Sequence, residues 1–76
     1  MAEKHSNLID RRATQEAKVG ICQLAGKQWV ELLDPATKAP YRFADKKTCM
    51  KTVTRLVLKG THNIMPFNAS TGELLG

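Results

Sequence analysis

Residues 45–60 carry the pattern that most limits what this chain can become. Cys49, Met50, Val53, Leu56 and Val57 recur at i, i+1, i+4, i+7 and i+8, the spacing of one face of an α-helix. Asp45 stands where an N-cap carboxylate can accept an orphan N–H near Thr48, and Gly60 stands where a helix is brought to a stop. The spacing predicts a helix over residues 45–59. Its β-branched Val53, Thr54 and Val57 weaken intrinsic helicity, so packing of the apolar face must hold it. A single helix of this kind needs a second layer to pack on.

The flanking segments read as that layer. Residues 19–24 and 29–34 are β-leaning runs on either side of Ala25-Gly26-Lys27-Gln28, with Gly26 free to take the positive φ of a tight turn. Pro35 and Pro40 cannot donate to a ladder and bound a loop, after which Tyr41-Arg42-Phe43 alternates as a short third strand. Beyond the helix, residues 62–67 look extended, with Pro66 suggesting an edge strand. Gly72 marks a left-handed turn before a short return through Glu73, Leu74 and Leu75. Residues 1–17 form a polar N-terminal arm or a frayed helix capped by Ser6 and running from about Asn7 to Lys18, with Leu8, Ile9, Arg12, Ala13, Glu16 and Ala17 on one side. Residues 18–76 form one domain. The fold class is α+β, a small antiparallel sheet of three to five strands packed on one amphipathic helix, in the order (α)-β-β-β-α-β-(β). The expected core is Val30, Leu32, Phe43, Cys49, Met50, Val53, Leu56, Val57, Ile64 and Phe67, with Ile21 or Cys22 added according to register.

Length then restricts function. A chain of 76 residues buries a small core and leaves little room for a second domain or a roomy catalytic cleft. No stretch approaches the ~20 apolar residues of a membrane span, and the polar residues 1–10 do not read as a secretory signal. Cys22 and Cys49 are the only cysteines, and they read as buried free thiols of a reducing, cytoplasmic compartment rather than a disulfide or metal pair. With His5 and His62 they show no zinc spacing, so no metal and no cofactor is expected. No nucleophile elbow or phosphate loop is present, and Glu31 and Asp34 read as solvent-facing carboxylates. The chain is not expected to be an enzyme.

The net charge of +5 is unevenly spread. Residues 44–60 hold five basic side chains and one acidic, +4 in all. Lys47, Lys51, Arg55 and Lys59 follow one another at i+4 steps. Each step drifts only ~40°, so they form one sloping row about 18 Å long. Such a row suits phosphates, an acidic protein surface, or plain solvation. Lys46 adjoins it, and Arg11 and Arg12 add basic charge if the arm orders on binding. Trp29 is either a core anchor or, if exposed, a stacking or docking residue.

The order Val19-Gly20-Ile21, then Gly26-Lys27-Gln28-Trp29-Val30-Glu31-Leu32, Asp34-Pro35 and Phe43, followed by a helix, resembles the AP2-type DNA-binding domains. It is less closely similar to the N-terminal domains of some integrases. The resemblance covers roughly residues 19–58. It implies a three-stranded sheet on one helix, whose exposed face enters the major groove. It makes Gln23, Lys27, Trp29, Glu31 and Arg42 the candidate DNA-facing positions. The chain departs from the family in its first strand, where Gln23 is the sole polar reader, and in its helix, where Cys49 and Met50 replace an Ala pair. The α-β-β-β-α order, with Lys46-Lys47 at a helix start, is also similar to double-stranded RNA-binding domains.

Two functional expectations follow. The first is a non-enzymatic nucleic-acid-binding protein of regulatory or accessory role, with duplex DNA favoured over RNA. Its contacts would be Lys46, Lys47, Lys51, Arg55 and Lys59, with Lys27, Trp29 and Arg42 added by the resemblance. The second is a small phage- or plasmid-type interaction module that docks on an acidic surface of a larger enzyme and modulates or inhibits it. Its site would be the Trp29–Glu31 face or an edge strand near Pro66. Neither needs a membrane or a small-molecule substrate.

Overall fold

The computed structural model describes residues 4–76. The expected N-terminal arm begins outside them, at residues 1–3. Four antiparallel strands form one sheet: β1 (Val19–Ala25), β2 (Gln28–Glu31), β3 (Ile64–Asn68) and β4 (Glu73–Leu74), in the order β2-β1-β3-β4. One helix, α1 (Lys46–Leu58), connects β2 to β3. The fold class is therefore the expected α+β. Because β2 and β3 are both antiparallel to β1, they run parallel to each other on either side of it.

The hairpin forms as its sequence dictates. Ala25 pairs with Gln28 across the two-residue turn Gly26-Lys27, and Gly26 takes φ +65 at the first turn position, as a type II′ hairpin turn requires. The third strand does not form. Residues 41–43 are reduced to a single bridge, in which Val19 and Phe43 exchange backbone hydrogen bonds of 3.0 and 2.7 Å. The physical reason is room. Pro40 lacks an N–H, and the helix cap at Asp45 begins two residues after Phe43.

Pro66 is likewise not on an edge, since β3 lies between β1 and β4. Its carbonyl accepts from the Leu75 N–H (2.9 Å), so its nitrogen also faces the β4 side. The missing donor falls where β4 is already ending, and the proline is tolerated in an inner strand.

The helix matches its expected bounds. The Asp45 carboxylate accepts from the Thr48 N–H at 2.8 Å, which holds its pKa below the usual range. At the other end Gly60, at φ +104, donates to Val57 O (3.0 Å) and Thr61 donates to Leu56 O (2.9 Å), the paired bonds of a Schellman motif.

Side chains alternate between two buried clusters, one on each face of the sheet. Val19, Ile21, Cys49 and Val53 form the helix-side cluster, with Leu32, Tyr41, Phe43, Leu56, Ile64 and Leu75 packed around it. Leu8, Cys22, Phe67 and Ala69 form the other, with Ala13, Trp29, Met65 and Leu74. Ile21 and Cys22 are thus both core residues, one for each face.

Three expected core residues stay exposed: Val30, Met50 and Val57. The helix packs on β1 and β3, leaving Val30 on the outer strand β2 uncovered. Its buried arc is Cys49, Val53 and Leu56, from which Met50 and Val57 are rotated by ~80–100°.

The second cluster exists because the N-terminal residues cover it. No helix runs through residues 7–18. A 3-10 turn over Ser6–Leu8 is followed by i+3 turns closed by Ala13 N–H to Asp10 O and Ala17 N–H to Thr14 O. Ser6 lies inside the first turn and does not cap it. Carbonyls of the β3–β4 turn and of β2 hold the segment in place of helical bonds. His5 N–H donates to Gly72 O, Asp10 N–H to Ala69 O, and the Asn7 amide to Trp29 O, each at 2.7 Å. Leu8, only 2% exposed, is the apolar plug that this path inserts.

Candidate nucleic-acid interface

The basic row sits opposite the buried arc of α1. Lys46, Lys47, Lys51 and Arg55 are exposed, as is Lys59, the residue that ends the helix. No ion pair joins any of these five to an acidic side chain among the described residues. The row includes three like-charge i, i+4 contacts, each unfavourable to the helix by a few tenths of a kcal/mol. Leu58, 82% exposed, projects from the same outer face. Met50 and Val57 line one flank of the helix.

The sheet positions suggested by resemblance are arranged differently. Trp29 and Glu31 face the N-terminal segment rather than open solvent. Trp29 is half-buried against the Leu8 cluster. Gln23 lies on the helix face, and its amide donates to His62 O at 3.2 Å. Lys27 is exposed at the hairpin tip, away from the row on α1.

Arg42 is not an available cation. Its side chain is 15% exposed, and its Nη2 lies 2.7 Å from Asp10 Oδ2. Its Nη1 pairs with Glu31 Oε1 and donates to Tyr41 O. The guanidinium also lies over the Phe67 ring, with Cζ 5.8 Å from the centroid. Gly20 makes this stacking possible. A Cβ there would come within 2.6 Å of Arg42 Nη1 and 2.8 Å of Phe67 Cε1. The hydrogen bond from Arg42, aided by the Arg12 backbone N–H, holds the Asp10 carboxyl down at a pKa of about 2. Asp10, Glu31 and Arg42 thus tie the N-terminal segment, β2 and residues 41–43 together.

This triad is what sequence reasoning missed. Its one signal was an arginine alternating between two aromatics in Tyr41-Arg42-Phe43, which puts it on the face opposite theirs. Tyr41 and Phe43 do share the helix side, with near-parallel rings 6.2 Å apart.

Arg11 and Arg12 are exposed on the N-terminal segment, across the sheet from α1, and Arg12 Nε lies 3.5 Å from Asp10 Oδ1. Cys22 and Cys49 are free, fully buried and in different clusters. Burial raises each thiol to a pKa of about 11, which keeps both protonated at neutral pH. Among the described residues no helix is long and apolar enough to cross a membrane. Comparison with known protein families, with characterised proteins and with solved structures returns no match.

Proposed function

We propose that this protein is a small, non-enzymatic nucleic-acid-binding protein of regulatory or accessory role, contacting phosphates through the exposed face of α1. The observation that carries this reading is the row Lys47, Lys51, Arg55 and Lys59, exposed and in no ion pair with an acidic side chain among the described residues, with Lys46 beside it. A row that weakens its own helix, with only its start attracted to the Asp45 cap, suits an external anion. Lys27 is a peripheral contact at most, and Arg42 has no part, being held by Asp10 and Glu31. Duplex DNA is the first ligand to test. A mobility shift at low salt is expected to show binding that weakens steeply as salt rises and is lost in the double variant Lys47→Glu, Arg55→Glu. Absence of binding to duplex, single strand and RNA alike at low salt removes the proposal.

Leu58 favours a second reading. Leu58, 82% exposed, adds to the exposed Met50 and Val57 on the same helix, and apolar surface beside cations fits a protein partner with an acidic rim. On that reading the module docks on a larger enzyme through α1 and modulates it. The Trp29–Glu31 face and Pro66 are not offered as its site, the first being covered by the N-terminal segment and the second buried. A stoichiometric partner retained after nuclease treatment and released by Leu58→Ser is the expected result.

A further inference from the structure

We infer that α1 lies across the minor groove of double-stranded DNA, its basic row reaching from one phosphate backbone to the other and reading no bases. The inference rests on the nucleic-acid reading proposed above and names its ligand. Lys47, Lys51, Arg55 and Lys59 extend over about 18 Å of helix, and each step also turns by ~40°. The first and last cations therefore point about 120° apart. One line of phosphates meets such a row over only part of its length, whereas two backbones can each take one end. B-form DNA supplies two backbones on either side of a minor groove about 6 Å wide, which a row of this length spans.

Other nucleic-acid ligands fit less well. A helix inserted into the major groove lays its outer line on the base edges and reads them. Here that line holds Thr54 and Leu58 among the cations, and no Asn, Gln, Asp or Glu lies within α1. The polar sheet residues are engaged elsewhere, Gln23 with His62 O and Arg42 with Asp10 and Glu31. Proteins that hold single strands stack the bases on exposed aromatic rings. In this chain Phe67 is fully buried, Tyr41 and Phe43 pack on the helix-side cluster, and Trp29 packs on the Leu8 cluster. Duplex RNA is typically held across two successive minor grooves, over about 16 base pairs. A single row on α1, with Arg11 and Arg12 across the sheet from it, covers one groove.

The test is fluorescence anisotropy of the full chain, across a salt series, with DNA duplexes of two unrelated sequences, an RNA duplex and an oligo-dT, all of equal length. The two DNA duplexes are expected to bind within about threefold of each other, and at least about fivefold more tightly than the RNA duplex or oligo-dT. Four phosphate contacts give a log–log salt slope of about −3.6 on duplex DNA. Lys47→Gln and Lys59→Gln, at the two ends of the row, are each expected to reduce that slope by about one, and Arg11→Gln to leave it unchanged. Glutamine keeps the helix propensity of lysine, and unfolding midpoints report that each variant remains folded. Oligo-dT or the RNA duplex bound as tightly as duplex DNA overturns the inference and leaves the nucleic-acid reading standing. So does a preference of about tenfold or more between the two DNA sequences. So does a slope that responds to Arg11 and ignores the ends of the row. Failure to bind any oligonucleotide at low salt removes both.

Discussion

The two faces of the sheet are closed by different kinds of structure. On one side a regular helix packs Cys49 and Val53 against Val19 and Ile21. On the other, an irregular segment lays Leu8 over Cys22, Phe67 and Ala69. The helix satisfies its own backbone and needs only an apolar stripe to dock. The N-terminal segment is tied instead to the β3–β4 turn by the His5 and Asp10 N–H groups, which donate to Gly72 and Ala69, and to β2 by the Asn7 side-chain amide, which donates to Trp29 O. One cover is therefore visible as a local pattern, while the other combines short i+3 turns with long-range contacts that have no sequence period.

The sharpest way to break this comparison is Leu8→Ala. If the irregular cover is as much a part of the fold as the helix, the loss is expected to be about 3–5 kcal/mol in urea unfolding, as for a leucine removed from a tight core. Val53→Ala on the helix side gives the reference. A Leu8→Ala cost below about 0.5 kcal/mol would show that residues 4–17 ride on a sheet that is stable without them.

The next test is Gly20→Ala, at the point where the second face is most crowded. The added methyl meets Arg42 Nη1 and the Phe67 ring, both already fixed, the first by Asp10 and Glu31 and the second by full burial. The expected cost is about 1–3 kcal/mol. Gly26→Ala serves as a contrast. Nothing lies within 4 Å of a Cβ at Gly26, so its cost comes from φ +65 alone and is about 1 kcal/mol.

These same positions explain what the sequence could and could not reveal. The helix was legible from its cap, its stop and its apolar period, all within residues 45–60. The hairpin was legible from Gly26. Leu8 was not, because with Ile9, Ala13 and Ala17 it suggested only a weak helical side, while its burial depends on an irregular path over the sheet. Met50 and Val57 misled because a helical apolar pattern gives a face, but its usable width depends on how much sheet lies beneath. The third strand failed because pairing depends on neighbours that Tyr41-Arg42-Phe43 does not encode. Of the candidate site, the row on α1 was fully legible, since i+4 spacing fixes a row once the helix is granted. The position of Arg42 was not, since its partners Asp10 and Glu31 lie 32 and 11 residues away in sequence.

Acid separates the two faces in another way. Asp10 has its carboxyl lowered from 3.8 to about 2 by Arg42, so the folded chain binds the proton less readily than the unfolded one. Its contribution to stability is complete above about pH 4 and is lost as pH falls through about 2. Urea midpoints measured between pH 5 and pH 2 should fall, and Arg42→Met should flatten the Asp10 part of that fall. An unchanged profile in Arg42→Met would show that the triad does not anchor the segment. Asp45, lowered by the Thr48 N–H, supplies the helix-side contribution, which Asp45→Asn removes separately.

The smallest expected change in stability is the most informative about function. Lys51 lies between Lys47 and Arg55 at i+4 spacing on both sides. Replacing it with Gln removes two like-charge i, i+4 neighbours and a weaker attraction to the exposed Asp45 carboxylate, at little cost in helix propensity, so the fold should gain about a few tenths of a kcal/mol at most. Solvation alone would give that gain and nothing else. Under the nucleic-acid reading, the same substitution also weakens oligonucleotide binding and shallows its salt dependence. A residue that lowers stability while raising affinity has a use outside its own fold, so the opposite signs of these two measurements separate a binding face from a soluble one. Gln at position 51 that stabilises the helix and leaves binding untouched would place Lys51 outside the interface.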